Sequence, residues 1–413
     1  MTLRTALSGL TVLDFTQIGA GPTCTSLLGD MGARVIKVES PSGELGRGLG
    51  PAWIGDDSSL YYSFNRNKRG LCLDLKRTDG IAAARRLAAT ADIIVESMRP
   101  GVMNRLGLGF EDMRVNNPGL IYCSISAYGQ TGPYAERAGV DGILQADSGL
   151  MSLIGSPGSG PGKVQSPVVD ITTGYIACTG ILAKLAQRNK DGQGGYLDVN
   201  LLNAALALQQ PSLASYLADG VLPKPIGSAA PYSAPNEAFE TADGWIMVAA
   251  YSGNRWEKLC EVLERRDLIA DERFVTSTKR VANRSAMQQE LTERFITRTT
   301  DHWLSLLEAV DVLCARVATY ADVERHPQVI ANAMIATMTH PVHGAIRVPG
   351  FPINSADDNA VPHMPGPGLG EHTVEILAES QFTDSEIVAL LASGAAIGTQ
   401  QPQASTKTMS STA

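Results

Sequence analysis

In the first third of the chain, short apolar runs recur between stretches of helical period, and this alternation restricts the fold more than any single motif. Residues 10–15, 33–39, 71–75, 92–96 and 120–126 read as buried strands. A glycine loop (16–22) and a helix (23–31) separate the first two, and a helix at 79–91 joins the third to the fourth. Strands connected through helices pair in parallel, so the pattern predicts an α/β domain whose mostly parallel sheet is covered on both faces. Ligands of such sheets gather outside the carboxyl ends of the strands.

The stretch Ser166-Pro-Val-Val-Asp170-Ile-Thr-Thr-Gly174 places one carboxylate where β-branched residues give way to the helical spacing of Tyr175, Cys178, Leu182 and Leu185. The spacing predicts a strand ending at Val169 and a helix starting at or just after Asp170. An aspartate there is either an N-cap, accepting a bond from an amide of the first turn, or a nucleophile at the positive end of a helix, beside exposed amides that could steady an oxyanion. Spacing alone leaves both readings open. With the ordinary carboxylate pKa of about 3.9, the group would be ionised at neutral pH.

Farther on, Lys190-Asp-Gly-Gln-Gly-Gly195 stops that helix. Residues 196–201 return as a strand, and a helix over 202–217 is kinked or broken at Pro211. Pro223, Pro225, Pro231 and Pro235 mark a linker. A hairpin at 239–250, turning at Ala242-Asp-Gly244, and amphipathic helices over 254–310 read as a smaller α+β domain. The expected division is a large domain at 1–222, linker and small domain at 223–337, a return segment at 338–398 with a helix at 373–379, and a disordered Gln/Ser/Thr-rich tail at 399–413.

A net charge of -8 over 413 residues, with a pI near 5.4, argues against a nucleic-acid surface. Cys24, Cys72, Cys123, Cys178, Cys260 and Cys314 are scattered without a C-x-x-C pair, as in a protein that keeps its thiols reduced. With no signal-like start and no uncharged run long enough to span a membrane, the expectation is a cytoplasmic protein without a membrane partner. His340-Pro-Val-His343 has no thiolate or carboxylate beside it, so no metal site is expected. There is neither a P-loop nor a G-x-S-x-G elbow. Gly19-Ala-Gly21, with Glu39 about 20 residues on, suggests a dinucleotide turn, but Cys24 stands where a third glycine belongs. A nicotinamide cofactor is therefore disfavoured, although such a turn can still receive another phosphate or an adenine. The basic clusters Asn65-Arg-Asn-Lys-Arg69 and Arg99 to Arg105 are either phosphate ligands near strand ends or solvated surface charge.

Taken in order, Leu7-Ser-Gly-Leu-Thr-Val-Leu-Asp-Phe15, Ala20-Gly-Pro22, Gly32-Ala-Arg-Val-Ile-Lys-Val-Glu39, Asn65-Arg-Asn-Lys-Arg69, Tyr128-Gly-Gln-Thr-Gly-Pro133, Gly192-Gln-Gly194 and Leu369-Gly-Glu-His-Thr373 resemble the class III (CaiB/BaiF) CoA-transferases. That family includes formyl-CoA, carnitine and succinyl-CoA:dicarboxylate CoA-transferases as well as α-methylacyl-CoA racemases. The resemblance implies a Rossmann-like, doubly wound parallel sheet in the large domain, a smaller α+β domain, and an interlocked homodimer. It implies no permanently bound cofactor, with CoA or acyl-CoA as substrate and a small carboxylic acid as the second partner. The resemblance implies that the family's nucleophilic aspartate falls on Asp170, and that an acidic position orienting it or its partner falls on Asp141. Gly253, in Tyr251-Ser-Gly-Asn-Arg-Trp256, falls where some members carry a glycine loop over the aspartate, although here it is the sole glycine of that stretch. Ala20, Leu73, Met98 and Arg105, with Arg99 as neighbour, fall where members hold the adenine and phosphates of CoA. Where some members have an arginine after the glutamate matching Glu39, this chain has Ser40-Pro41.

The implied chemistry moves CoA from an acyl-CoA such as succinyl-CoA to a free acid through an aspartyl anhydride and an aspartyl-CoA thioester. A distal carboxylate on such an acid would need a cation, and Arg47, Arg66, Lys68, Arg69 and Arg255 are the candidates. A racemase would need a proton-exchanging histidine in the Arg-Ala-Gly-His-Asp context; the chain reads Arg137-Ala-Gly-Val140-Asp141, and valine cannot exchange a proton. A non-catalytic CoA-binding protein is the third reading.

Overall fold

The computed structural model describes residues 2–355 and 363–398. The chain forms two compact units, one of Met1–Ser148, Gln165–Leu213 and Ala331–Ala413, the other of Gly149–Val164 and Ala214–Ile330. Residues 149–164 and 214–222, expected in the large domain, thus belong with the second unit, and the expected tail lies outside the described residues.

The first unit is built on a seven-stranded sheet of β1 (Thr11–Phe15), β2 (Arg34–Glu39), β3 (Lys68–Leu73), β4 (Ile93–Glu96), β5 (Ile121–Ser126), β6 (Gly195–Asn200) and β7 (Ala396–Ile397). Their order is β7-β3-β2-β1-β4-β5-β6, parallel throughout except for β7, which pairs antiparallel with β3. The short β7 was not foreseen, because two residues carry no period. Alternation along each strand divides the core between the two faces. Leu13, Phe15, Ile36, Val38 and Ile94 join a cluster with Ala84 and Leu87 of α2 (Thr78–Ala88), Ile376 of the helix Thr373–Glu379 and Ile387 of the helix Asp384–Ser393. On the opposite face Asp14 meets Thr25 of α1 (Ala20–Asp30). That face also carries the helix Val168–Asp191, here α4, which packs along α1; α3 is Asp141–Asp147.

Two details of α4 depart from expectation. No strand precedes it: Val168 and Val169 are already helical, Pro167 is the N-cap, and Asp170 lies within the first turn. By length and apolar composition α4 could also cross a membrane. Yet Val169, Thr173, Ala177, Ile181 and Leu185 are buried in this unit, as befits the core helix of a sheet domain. Gly174 makes the close approach to α1 possible, since a Cβ there would lie 2.6 Å from both the Ala20 carbonyl oxygen and Thr23 Cβ. Beyond β6, the helical stretch breaks at Gln209 into Leu201–Leu208 and Gln210–Asp219, with Pro211 in the first turn of the second piece, where its missing N–H is harmless.

In the second unit, the hairpin Asn236–Thr241 and Gly244–Ala249 is joined by Leu313–Arg316 in a three-stranded antiparallel sheet. Helices Gly253–Val262, Arg284–Phe295 and Thr300–Ala309 contribute to its core of Phe239, Trp256, Phe274, Phe295 and Trp303. All six cysteines are free thiols, and no metal-binding group of His, Cys, Asp or Glu occurs among the described residues.

Candidate active site

The strand order reverses at β1, whose neighbours β2 and β4 run on in opposite directions from it. A cavity of about 180 Å³ lies there, lined by Gln17 to Gly21 after β1, Ser97 after β4, Ile125 to Ala127 at the end of β5, Leu201 after β6, and Asp170. This is the carboxyl end of the strands, where open α/β sheets bind ligands. Gly139, Val140 and Leu45 complete the wall.

Asp170 reaches this cavity from the first turn of α4 and lies against Gly19: a Cβ on Gly19 would sit 2.5 Å from Asp170 Oδ2, so glycine alone fits. The cap role belongs to Asp141 instead, whose Oδ1 accepts bonds from the amides of Val169 (2.8 Å) and Asp170 (3.2 Å) while its Oδ2 accepts from Gln145 Nε2 (2.6 Å). The Asp170 carboxylate is left partly exposed and, among the described residues, without a hydrogen bond or ion pair. Burial, then the nearby Asp141 charge, pushes its pKa up to about 7. The expectation of a fully ionised aspartate at neutral pH is therefore corrected: this group is poised between acid and base.

The expected oxyanion donors at the start of α4 are also consumed, by Asp141 and by the Ser166 carbonyl, which accepts from Val168 N at 2.7 Å. Free amides occur instead on the facing helix. Gly19, Ala20 and Gly21 line the cavity at the N-terminus of α1, and their N–H groups have no partner among the described residues. The positive end of an 11-residue helix thus faces the carboxylate's cavity.

The remaining sequence candidates are dispersed. Ala20 shares the cavity with Asp170. Leu73 is wholly buried in the core at the end of β3, so its side chain offers no surface to a ligand. Met98 packs partly against the same core. Arg105, at the end of the short helix Val102–Arg105, is exposed, as is Arg99, and neither has an acidic partner among the described residues. Arg99 borders a separate cleft of about 270 Å³ with Glu96, Phe110, Tyr122, Ser124 and Tyr196. Gly253 begins a helix in the second unit, with Ser252 as N-cap, so helix replaces most of the expected glycine loop.

All five cations considered for a distal carboxylate are already engaged. Arg47 grips Glu39 in a bidentate pair at 2.7 Å and also meets Asp57; Arg66 pairs with Asp30; Lys68 bonds Asp14 at 2.9 Å; Arg69 meets Glu375 and Glu379; Arg255 meets Asp311. The cluster at 65–69 therefore serves internal pairing. Burial would raise the Asp14 pKa, but Lys68, Lys37 and the hydroxyls of Thr16 and Thr25 outweigh it and hold the carboxyl at about 2. Glu96, which sequence reasoning passed over, has its pKa raised to about 7 by burial; its position as the last residue of a strand was the available signal.

Comparison with known proteins identifies the family. The family model described as CoA-transferase family III matches residues 7–373. The human protein named succinyl-CoA:glutarate CoA-transferase is 38% identical over 94% of this chain and 89% of its own length. The succinyl-CoA:mesaconate CoA-transferase of Haloarcula hispanica is 36% identical over 91% of this chain and 96% of its own. The crystal structure of a CAIB/BAIF family protein from Brucella suis superimposes with a TM-score of 0.82 at 35% identity, covering 91% of this chain and 100% of that one. The chain belongs to CoA-transferase family III and is a transferase.

Proposed function

We propose that this enzyme moves CoA from succinyl-CoA to a small dicarboxylic acid, with Asp170 as the nucleophile. The observation that carries the reading is an unpaired, partly exposed carboxylate facing free helix amides at the reversal point of the sheet. Asp170 attacks the thioester carbonyl; the tetrahedral oxyanion is met by the amides of Gly19 to Gly21, and the collapse releases CoA thiolate and leaves a mixed anhydride. The thiolate attacks the aspartyl carbonyl, expelling the first acid and forming an aspartyl-CoA thioester. The acceptor carboxylate displaces the thiolate to form a second anhydride. The thiolate then attacks the acceptor's acyl carbon, giving the new acyl-CoA and free Asp170. Each step exchanges one carboxylate or thiolate for another, so the path runs equally well in reverse.

Asp141 holds the first turn of α4 and so the direction of Asp170. Ala20, Met98, Arg99 and Arg105 are proposed to receive the nucleotide end of CoA, the unpaired arginines meeting phosphates; Leu73 could contribute only through its backbone. The dicarboxylate preference is supported by the names of the two relatives. We further propose a cytoplasmic, interlocked homodimer with a Rossmann-like large domain. The substrate test offers succinyl-CoA with glutarate, mesaconate and monocarboxylates of equal length. Dicarboxylates are expected to give the higher kcat/KM; a win for formate or a bulky aromatic acid would remove the acceptor assignment and leave the aspartyl mechanism standing.

A further inference from the structure

The loop that carries the free amides holds a residue in an unfavourable backbone conformation. Ile18 sits at φ 69, the left-handed region, which a β-branched side chain rarely enters. Its neighbours on both sides line the cavity, and Gly19 touches Asp170. The loop is pinned at three successive residues: Lys37 Nζ donates to the Thr16 carbonyl (3.1 Å), Gln17 N donates to Ser97 Oγ (3.3 Å), and Ile18 N donates to Glu44 Oε2 (2.8 Å).

We infer that Glu44 is a positioning residue for transfer, holding Ile18 in its left-handed conformation so that the Gly19 to Gly21 amides stay aimed at the Asp170 cavity. This rests on the proposed role of Asp170. Three donors converge on the Glu44 carboxylate: Ile18 N at Oε2, and Asn65 Nδ2 (3.0 Å) and the Lys37 ammonium (3.4 Å) at Oε1. Glu44 and Lys37 are both buried, so these bonds are shielded from competing water. The residue beside it, Leu45, is part of the cavity wall, which ties the same segment to the substrate side. Only a carboxylate can accept from both directions. A carboxamide of the same shape has one acceptor oxygen; turned to Lys37 and Asn65, it presents an N–H to the N–H of Ile18.

The chemistry of that substitution supplies the test. Glu44→Gln lets Ile18 relax toward an extended conformation and is expected to lower kcat at least tenfold while the KM for acyl-CoA stays within about threefold. Ile18→Gly removes the conformational penalty, because glycine occupies positive φ freely. Because Ile18 also lines the cavity, Ile18→Gly sets its own reference kcat, and adding Glu44→Gln to it should lower kcat by no more than about threefold further. A merely structural Glu44 would not be rescued by a glycine 26 positions away. The same tenfold loss when Glu44→Gln is added to Ile18→Gly as when it is added to the native chain, or full activity in Glu44→Gln, would overturn the inference. Asp170→Ala, run alongside, separates the two claims: if it transfers CoA, the nucleophile assignment falls and the positioning role falls with it, whereas an inactive Asp170→Ala with no rescue refutes Glu44 alone.

Discussion

At Asp170 two opposing requirements meet, since a nucleophile must be ionised and a closed site disfavours charge. Burial and the charge of Asp141 raise its pKa to about 7, so the proton must leave before attack and activity must climb as pH rises through that value. An acidic limb near pH 7 in kcat/KM for the acyl-CoA is the expected profile. Asp141→Asn removes the like charge while an amide oxygen can still accept from Val169 N. The limb should therefore move to lower pH; an unmoved limb would assign it to another group, Glu96 being the obvious one. The position of Asp170 was legible in the sequence, but its role was not, because Asp caps and Asp nucleophiles look alike at a helix start. What separates them is Asp141, which supplies the cap from 29 residues upstream. Likewise, the cations at 47, 66, 68 and 69 looked available because their partners, Glu39, Asp30, Asp14 and Glu375, come from other elements.

Among the elements, β1 to β5 were readable because strands buried on both faces are nearly continuous apolar runs, whereas β6, exposed at alternate residues, was marked by the glycines that precede it. The start of α4 was not, since Pro167-Val-Val carries strand propensity and only packing against α1 and the Asp141 cap make it helical. That contact sets Asp170 beside Gly19. Gly174→Ala forces a methyl group into the Ala20 carbonyl and should cost about 1–3 kcal/mol in urea unfolding, with loss of transfer. Gly180→Ala, whose Cβ would meet the flexible end of Leu197 at 3.3 Å, gains helix propensity and should cost far less. Equal costs would mean that the helix–helix approach is not tight.

At the scale of the whole molecule, the division into a sheet-based unit and a helical, antiparallel one follows from the change of pattern after the proline-rich stretch. The membership of 149–164 could not be read, because those glycines and prolines have no period and their place is decided by contacts with distant sequence. An interlocked homodimer cannot separate without unfolding, so light scattering should give twice the chain mass at every concentration that retains activity; active monomers on dilution would contradict it. The proposed transfer passes through covalent chemistry at one residue, Asp170. Incubating the enzyme with succinyl-CoA and hydroxylamine, then digesting it and measuring peptide masses, should show the hydroxamate of Asp170, dependent on acyl-CoA and absent in Asp170→Asn. Turnover of acyl-CoA with no modification at Asp170, or the hydroxamate appearing on another carboxylate, would rule out Asp170 as the nucleophile.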